Sequence, residues 1–171
     1  MTDDEAARFA YLAEGNAKQA RKRVAADVLI TDQAGRVLLV DPTYKEGWDI
    51  PGGMAEANEP PRVAAERELH EELGLTLTIG RLLLVEWVPP HGPWDDQLVF
   101  LFDGGVMDEA EIAGLRLADD ELAGMQFVTL DEAEPLLKSR LWAQLRKGLD
   151  ARAYGRSTYV ELESAGDETA G

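Results

Sequence analysis

The chain has 171 residues, 45% hydrophobic and 29% charged, which fits one folded domain and excludes a disordered or fibrous protein. It contains no cysteine, which excludes disulfides, thiolate metal sites and a cysteine nucleophile, so any metal must be bound by oxygen or histidine. The net charge of -16 argues against polymeric nucleic acid as a partner, and a small anion could bind only if a cation screened it.

No segment of the sequence is typical of a membrane or export signal. The N-terminus lacks a basic start followed by an apolar core, and no later run approaches 18 apolar residues. We therefore expect a cytoplasmic protein that does not contact a membrane.

The first third of the chain predicts a helix and a hairpin. Residues 3–22 are rich in Ala, Glu, Lys, Arg and Gln and carry a thin apolar stripe, which indicates a helix. Two β-rich runs follow at 24–31 and 36–40, separated by a turn whose Asp and Gly favour a hairpin.

A sharp turn and a second helix come next. WDI at 48–50 predicts a short strand, and PGG at 51–53 breaks regular structure because Pro lacks a donor and Gly tolerates positive φ. Residues 60–72 predict a helix that Asn58 can cap and that Gly74 can end.

The second half predicts further strands and terminal helices. Strands are expected at 75–88, 96–107 and 125–130, with a loop rich in Pro and Gly at 89–95. Residues 131–153 carry apolar side chains at helical spacing and should pack on the sheet.

This order of elements favours a mixed sheet sandwiched between helices, an α/β (α+β) fold. We divide the chain into an N-terminal helical extension at 1–22, one main domain at 23–152 and a tail at 153–171. The last residues, ESAGDETAG, are typical of a frayed end.

Three carboxylates of the second helix occupy one face. Glu68, Glu71 and Glu72 stand at i, i+3 and i+4, which places their Cβ atoms within about 5–6 Å of one another. Hard oxygen ligands in this arrangement predict a site for Mg²⁺ or Mn²⁺, to which the backbone of Gly52 or Gly53 could add a carbonyl oxygen. The alternative is a solvated acidic face whose charges are balanced by arginines four residues away.

The residues around these carboxylates resemble the Nudix box at every specified position. The resemblance spans residues 53–75 and rests on Gly53, Glu59, Arg67-Glu68-Leu69, Glu71-Glu72 and Gly74-Leu75. In its wider setting it extends over roughly residues 23–138. The chain is thus similar to a Nudix hydrolase.

This resemblance implies a Nudix-like α/β/α sandwich that hydrolyses the diphosphate bond of a nucleoside diphosphate linked to a group X, with Mg²⁺ or Mn²⁺ as cofactor. It implies that the metal ligands are Glu68, Glu71 and Glu72, with a backbone oxygen from Gly52 or Gly53.

The remaining box residues have supporting roles in the same resemblance. Arg67 would orient Glu68 by hydrogen bonding, and Glu59 and Gly74 would be structural. The general base would be Glu68 or a glutamate of a later loop, for which Glu121 is the candidate. The alternative for Glu121 is a solvated turn formed with its two acidic neighbours.

The nature of X is only weakly indicated. Pro90, the fifteenth residue after the box, resembles a position of the ADP-ribose pyrophosphatase subgroup, and Asp95 or Asp96 would stand near the acidic residue that follows it there, with Asp96 as the candidate. His91, Trp94 and Trp48 are further candidates for contact with a base or a ribose. We therefore favour ADP-ribose or a nucleotide sugar.

Three other functions are less consistent with the sequence. A (d)NTP pyrophosphohydrolase, including one for oxidised nucleotides, is disfavoured because Asp41-Pro42 stands where many triphosphate-cleaving relatives carry Arg; Lys45 or Arg23 could substitute. A non-catalytic, nucleotide-binding regulator of the same fold predicts an eroded box, whereas this box is complete. A prenyl diphosphate isomerase of this fold would need a cysteine. The N-terminal helix makes a homodimer a plausible assembly.

Overall fold

A computed structural model of the chain describes residues 2–164. The part of the predicted tail that follows residue 164 lies outside this range. Within it the chain forms five helices and seven strands, whose bounds are α1 Asp3–Ala17, β1 Arg23–Asp32, β2 Val37–Pro42, β3 Gly52–Met54, α2 Pro61–Leu73, β4 Leu82–Val88, β5 Gln97–Met107, α3 Glu109–Ala113, β6 Leu122–Val128, α4 Leu130–Leu136, α5 Ser139–Ala153 and β7 Thr158–Glu161.

The strands form one mixed sheet in the order β6-β2-β1-β5-β4-β7, with the short β3 beside β1. Strand β1 runs parallel to β5, and β4 runs parallel to β7, while the remaining neighbours are antiparallel. The hairpin predicted from the first two β-rich runs is the β1–β2 pair.

Helices cover both faces of this sheet, which confirms the predicted α/β/α sandwich. On one face α2 packs its Ala64, Ala65, Leu69 and Leu73 on alternate residues of β1. On the other face α4 and α5 bury Ala133, Leu141 and Leu145 against the remaining β1 and β5 residues. Strand β1 is therefore buried from both sides, and α2 packs directly on one of these sides.

Several predicted bounds differ from the structure. The predicted cap Asn58 does not cap α2: it adopts φ 63° in the preceding turn, and the N-cap is Pro60, whose side chain cannot form a hydrogen bond. Strand β4 begins only at Leu82. In the preceding segment Arg62 donates to the carbonyl oxygens of Ile79 and Gly80, while the Gly80 N–H and the Arg81 carbonyl oxygen still bond to Asp103 of β5.

The two ends of the described chain behave differently. Helix α1 stops at Ala17, five residues before the predicted end, and buries none of its residues. At the other end β7 pairs with β4 in a region that the sequence assigned to the tail. Among residues 2–164 no helix is long and apolar enough to cross a membrane.

Candidate active site

Two glycines at the start of β3 let the chain pass close to β1 and to α2. Gly52 has φ 143°, and a Cβ there would overlap the Ala26 carbonyl group and the backbone of Asp27. A Cβ at Gly53 would overlap the carboxyl group of Glu68. The PGG turn thus creates a space that the Glu68 carboxylate occupies, directly against the backbone.

Arg67 binds the loop and the helix together with its whole guanidinium fork. Its Nε and Nη2 donate to the two carboxylate oxygens of Glu59 at 3.0 and 2.9 Å, and Nη2 also donates to the carbonyl oxygen of Met54 at 3.0 Å. Nη1 donates to Glu68 at 3.0 Å and to Glu71 at 2.9 Å. The bidentate contact with Glu59 fixes the plane of the guanidinium group, and Nη1 then binds Glu68 from a defined direction.

These hydrogen bonds and the burial of the site shift the carboxyl groups in opposite directions. The Arg67 hydrogen bonds lower the pKa of Glu59 to about 2. Glu68 is held by the same arginine, yet burial dominates and raises its pKa. Glu71 points to solvent, with 51% of its side chain exposed.

Glu72 is the most unusual carboxylate of the helix. Only 4% of the residue is exposed, and its Oε2 is buried without a hydrogen-bond partner among the described residues. Burial, reinforced by the negative charges of Glu68, Asp119 and Glu121, raises its pKa to about 8. A buried, unpaired carboxylate surrounded by other carboxylates is costly unless a cation neutralises it.

The segment between α3 and β6 runs along the C-terminal end of α2. Arg116 donates its N–H to the Leu73 carbonyl at 3.2 Å, and Ala118 donates to the Glu72 carbonyl at 2.9 Å. The Glu121 carbonyl accepts from the N–H of Thr43 at 2.8 Å, which fixes the other end of the segment. The negative charge of the exposed Glu121 carboxylate contributes to raising the pKa of Glu72.

The donor set fits a hard divalent cation, although the side chains are not yet gathered around one. Within residues 2–164 no three Asp, Glu or His side chains stand as a cluster that could hold an ion. Arg67 instead donates hydrogen bonds to Glu68 and Glu71. The unpartnered Oε2 of Glu72 and the space over Gly53 suit an oxygen-liganded ion such as Mg²⁺ or Mn²⁺.

The four predicted substrate residues that follow β4 lie in or beside one loop. Asp96 accepts hydrogen bonds from Lys22 and from Trp87 Nε1, and these two donors lower its pKa. The exposed ring of Trp94 lies under the Arg23 guanidinium, 4.6 Å from centroid to Cζ. His91 and Pro90 are exposed at the tip of the loop.

Trp48 lies apart from that loop, on the other side of β1. It is half-buried, pairs its backbone with Leu137, and places its ring edge beside Gly124 of β6. Its neighbour Asp49 forms an ion pair with Lys45 and adds to the negative field at Glu72. The structure places Trp48 in the cluster that α4 and α5 cover, on the face of the sheet opposite to α2, and not at Trp94.

Sequence reasoning missed a buried polar chain on the α5 face of the sheet. Gln144 donates to the Asp27 carboxylate at 2.6 Å, and Arg140 bonds to Gln144 at 3.1 Å and to the fully buried Glu86 at 3.4 Å. Burial, reinforced by Asp49, raises the pKa of Asp27. One signal was available, because an Asp within the otherwise apolar run VAADVLIT marks a polar function in a buried strand.

Comparison with known proteins gives the context of this geometry. A family model described as the NUDIX domain matches residues 21–151. A CMP-5'-(N-acetyl-N-hydroxy-3-aminopropyl)phosphonate hydrolase of Streptomyces rubellomurinus is 32% identical over 123 residues, which cover 67% of this chain and 55% of that protein. The human diphosphoinositol polyphosphate phosphohydrolase 2 is 42% identical over 64 residues, 37% of this chain and 36% of that protein.

The fold also matches solved structures. A UDP-X diphosphatase superposes with a TM-score of 0.71 at 21% identity, over 94% of this chain and 76% of that one. The chain spans about half the length of the Streptomyces relative and about a third of the human one.

Proposed function

The chain belongs to the Nudix family, and on that premise we propose that it hydrolyses the diphosphate bond of a nucleoside diphosphate linked to X, with ADP-ribose or a nucleotide sugar as the favoured substrate. The observation that carries this proposal is the buried Glu72 carboxylate, whose Oε2 has no hydrogen-bond partner within residues 2–164 and whose charge is opposed by that of Glu68. A buried carboxylate without a partner does not stabilise the helix that carries it, whereas it can serve as a ligand for a cation that binds a diphosphate.

Glu68, Glu71 and Glu72 would hold a Mg²⁺ or Mn²⁺ ion, next to the backbone of Gly52 and Gly53. When bound, the ion would neutralise the diphosphate and lower the pKa of an attacking water. The protein supplies a half-buried space for this chemistry, where charges interact more strongly than in water.

In this proposal Arg67 orients Glu68, and Glu68 or Glu121 accepts the proton. Arg67 binds Glu68 beside Gly53 and so restricts the directions in which this carboxylate could bind an ion or accept a proton. Burial raises the pKa of Glu68 toward the range in which a base accepts a proton effectively. Glu121 is the second candidate for the base, since its loop is fixed to the end of α2.

A triphosphate substrate finds less support. Lys45, which could replace the missing arginine at the end of β2, already pairs with Asp49. Arg23, at the start of β1, lies against the ring of Trp94. Neither residue supplies a cation beside Asp41.

The proposal of a homodimer rests on helix α1, none of whose residues is buried. Phe9, Tyr11 and Leu12 are 67%, 77% and 55% exposed on this helix. Light scattering on wild-type protein and on the Phe9→Ser/Leu12→Ser variant tests the proposal, since a dimer through α1 should become a monomer in the variant.

The hydrolase proposal is tested with a substrate panel in the presence of Mg²⁺ or Mn²⁺. ADP-ribose, nucleotide sugars, dinucleoside polyphosphates, NADH, dNTPs and oxidised dGTP are incubated with the protein, and the phosphate products are identified. We expect cleavage of a diphosphate substrate and its loss in Glu72→Gln. The matched control is Glu66→Gln on the same helix, outside the box positions, which should keep the activity. Absence of cleavage with both metals would refute the proposal.

A further inference from the structure

The segment from Ala118 to Glu121, called the acidic loop below, lies beside the candidate site without helical or strand structure. Its last residue, Glu121, acts electrostatically on two carboxylates of α2, since its negative charge raises the pKa of both Glu68 and Glu72. A side chain on such a segment keeps one position only if individual contacts hold the backbone that carries it. The contacts of the acidic loop therefore decide where the Glu121 carboxylate can act.

Two of these contacts come from α2 and from the loop itself. The N–H of Ala118 donates to the carbonyl oxygen of Glu72 at 2.9 Å, which fixes the start of the loop. The N–H of Glu121 donates to Oδ1 of Asp119 at 3.0 Å, which closes a turn within the loop. Both bonds use backbone N–H groups, so the carbonyl oxygens of Asp120 and Glu121 are left for a partner outside the loop.

Thr43, the residue that follows β2, binds both of these carbonyl oxygens. Its N–H donates to the Glu121 carbonyl at 2.8 Å. Its hydroxyl Oγ1 lies 3.1 Å from the Asp120 carbonyl oxygen and 3.0 Å from that of Glu121. A hydroxyl has a single proton to donate, so this proton is shared between the two carbonyl oxygens. The threonine side chain thus joins two consecutive peptide groups of the acidic loop.

The backbone bond and the side-chain bond of Thr43 have different meanings. The N–H bond continues the pairing of β2 with β6, which ends with Pro42 opposite Leu122, and any residue with an N–H could make it. The hydroxyl bond reaches beyond the last strand pair onto the acidic loop, and it requires a hydroxyl side chain. Thr43 is exposed, so this bond contributes little to the stability of the fold. Its effect is confined to the loop.

We propose that the Thr43 hydroxyl is a positioning group for Glu121, which it holds where the Glu121 carboxylate takes part in diphosphate hydrolysis. This inference rests on the proposed function and adds a residue of the β2 end to the working parts of the site. Without the hydroxyl, the peptide groups of residues 120 and 121 can rotate, and the reactive orientation of Glu121 is populated less. The loss should therefore fall on kcat and leave KM nearly unchanged.

Kinetics with Mg²⁺ test the role of the hydroxyl, with ADP-ribose or with whichever panel compound the protein cleaves fastest. Thr43→Val keeps the shape and the N–H and removes the hydroxyl, so kcat should fall by about three- to tenfold. Thr43→Ser retains the hydroxyl and should keep kcat within about twofold of the wild type. The matched control is Thr78→Val, which removes the hydroxyl of another exposed threonine and should leave kcat unchanged.

A double-mutant cycle with Glu121→Gln distinguishes positioning from a general structural effect. If Thr43 acts through Glu121, Thr43→Val should not lower kcat further once Glu121 has been replaced. A structural effect would lower kcat by the same factor in both backgrounds, and that result would refute the proposal. Full activity of Glu121→Gln would refute it as well, because Thr43 would then have nothing to position.

Hydrogen exchange provides a readout that does not depend on activity. The backbone N–H groups of Ala118 and Glu121 should exchange about threefold faster or more in Thr43→Val, and at the wild-type rate in Thr43→Ser. Thr43→Ala removes the same hydroxyl with a smaller side chain. It must reproduce the exchange rates and the kcat of Thr43→Val, which keeps the test valid if the valine itself disturbs the turn.

The results separate this inference from the hydrolase proposal. If the wild type cleaves a diphosphate and Thr43→Val has the same kcat and exchange rates, the positioning role is refuted and the hydrolase stands. A loss of kcat in Thr43→Ser as large as in Thr43→Val also refutes that role alone. If the wild type cleaves no compound of the panel, both proposals are refuted.

Discussion

The backbone N–H of Ala118 donates to the carbonyl oxygen of Glu72 over 2.9 Å, at the end of the helix where that carbonyl has no partner of its own. This bond ties the segment before β6 to the carboxylate helix. Two parts of the chain more than 40 residues apart thereby present their acidic side chains to the same space.

Glu72→Gln is expected to raise stability without metal and to remove the response to metal. The substitution replaces a buried, unpaired carboxylate by a neutral group of the same size, which should stabilise the metal-free protein by about 1–3 kcal/mol above neutral pH. Millimolar Mg²⁺ should raise the Tm of the wild type and leave that of the variant unchanged. Differential scanning calorimetry with and without Mg²⁺ measures both effects, and no metal response in the wild type would contradict the site.

The stability of the metal-free protein should fall with rising pH because of Glu72. Its pKa of about 8 in the folded state lies above the ordinary value of 4.5, so between these values the folded protein binds a proton that the unfolded chain has lost. This contribution is present below about pH 4.5 and is lost as pH rises through about 8. Since Mg²⁺ competes with the same proton, its effect on Tm should be larger at pH 8 than at pH 6. Thermal melts of Glu72→Gln provide the baseline without this group.

Glu59 should have the opposite dependence on pH. The hydrogen bonds from Arg67 lower its pKa to about 2, so its stabilising contribution is present above about pH 4.5 and is lost as pH falls toward 2. In this acid range the free energy of unfolding of Glu59→Gln should depend less on pH than that of the wild type. Equilibrium urea unfolding at a series of pH values compares the two, and parallel curves would show that the pair contributes nothing.

Arg67→Lys should preserve the charge and lose most of the activity. Lysine cannot reproduce the five hydrogen bonds of the fork, so Glu68 would lose its fixed direction. Loss of a residue that orients a metal ligand commonly costs about 10–100-fold, and we expect that reduction mainly in kcat. Arg62→Lys, which changes another arginine of α2 away from the carboxylates, should affect kcat much less.

The two candidate bases can be separated by pH–rate profiles. If Glu68 accepts the proton, Glu68→Gln should lower kcat by about 10²-fold or more and remove the acid limb, while Glu121→Gln keeps that limb. The reverse result would assign the base to Glu121. Asp120→Asn in the same turn is the matched control for a change of local charge.

Substitutions of the neighbouring glycines Gly52 and Gly53 should affect stability and activity differently. Gly52→Ala places a Cβ against backbone atoms at φ 143°, so it should destabilise the fold by about 2 kcal/mol or more. Gly53→Ala meets only the movable end of Glu68, so it should retain stability and lose activity by about tenfold. Gly15→Ala in α1, where no atom lies nearby, should stabilise by about 0.5–1 kcal/mol and leave the activity unchanged. Urea unfolding and kcat/KM distinguish these outcomes.

The sequence predicts the parts of this structure that depend on local spacing. The sandwich, the turn at Gly52 and Gly53, and the end of α2 at Gly74 all follow from residues that are close in the chain. The contact of Arg67 with Glu59 spans only eight positions and lies within one motif.

The parts that the sequence did not predict depend on distant contacts. Lys22 donates a hydrogen bond to the side chain of Asp96, 74 positions away in the chain, and no local sequence pattern predicts this contact. Strand β7 pairs with β4, and although Thr158, Tyr159 and Val160 are residue types that favour strands, a run of four residues after the last helix does not reveal its partner. Arg62 likewise holds the segment before β4 through two carbonyl groups that periodicity cannot reveal.

The hydrogen bond between Gln144 and Asp27 joins the first strand of the sheet to its last long helix, across 117 positions of the chain. During synthesis Asp27 emerges early, and the side chain that satisfies it emerges near the end. The space beneath the candidate site therefore cannot take its final form on a growing chain until α5 has left the ribosome and docked. A shortened chain that ends before residue 144 would keep the whole Nudix box and still leave Asp27 without its partner.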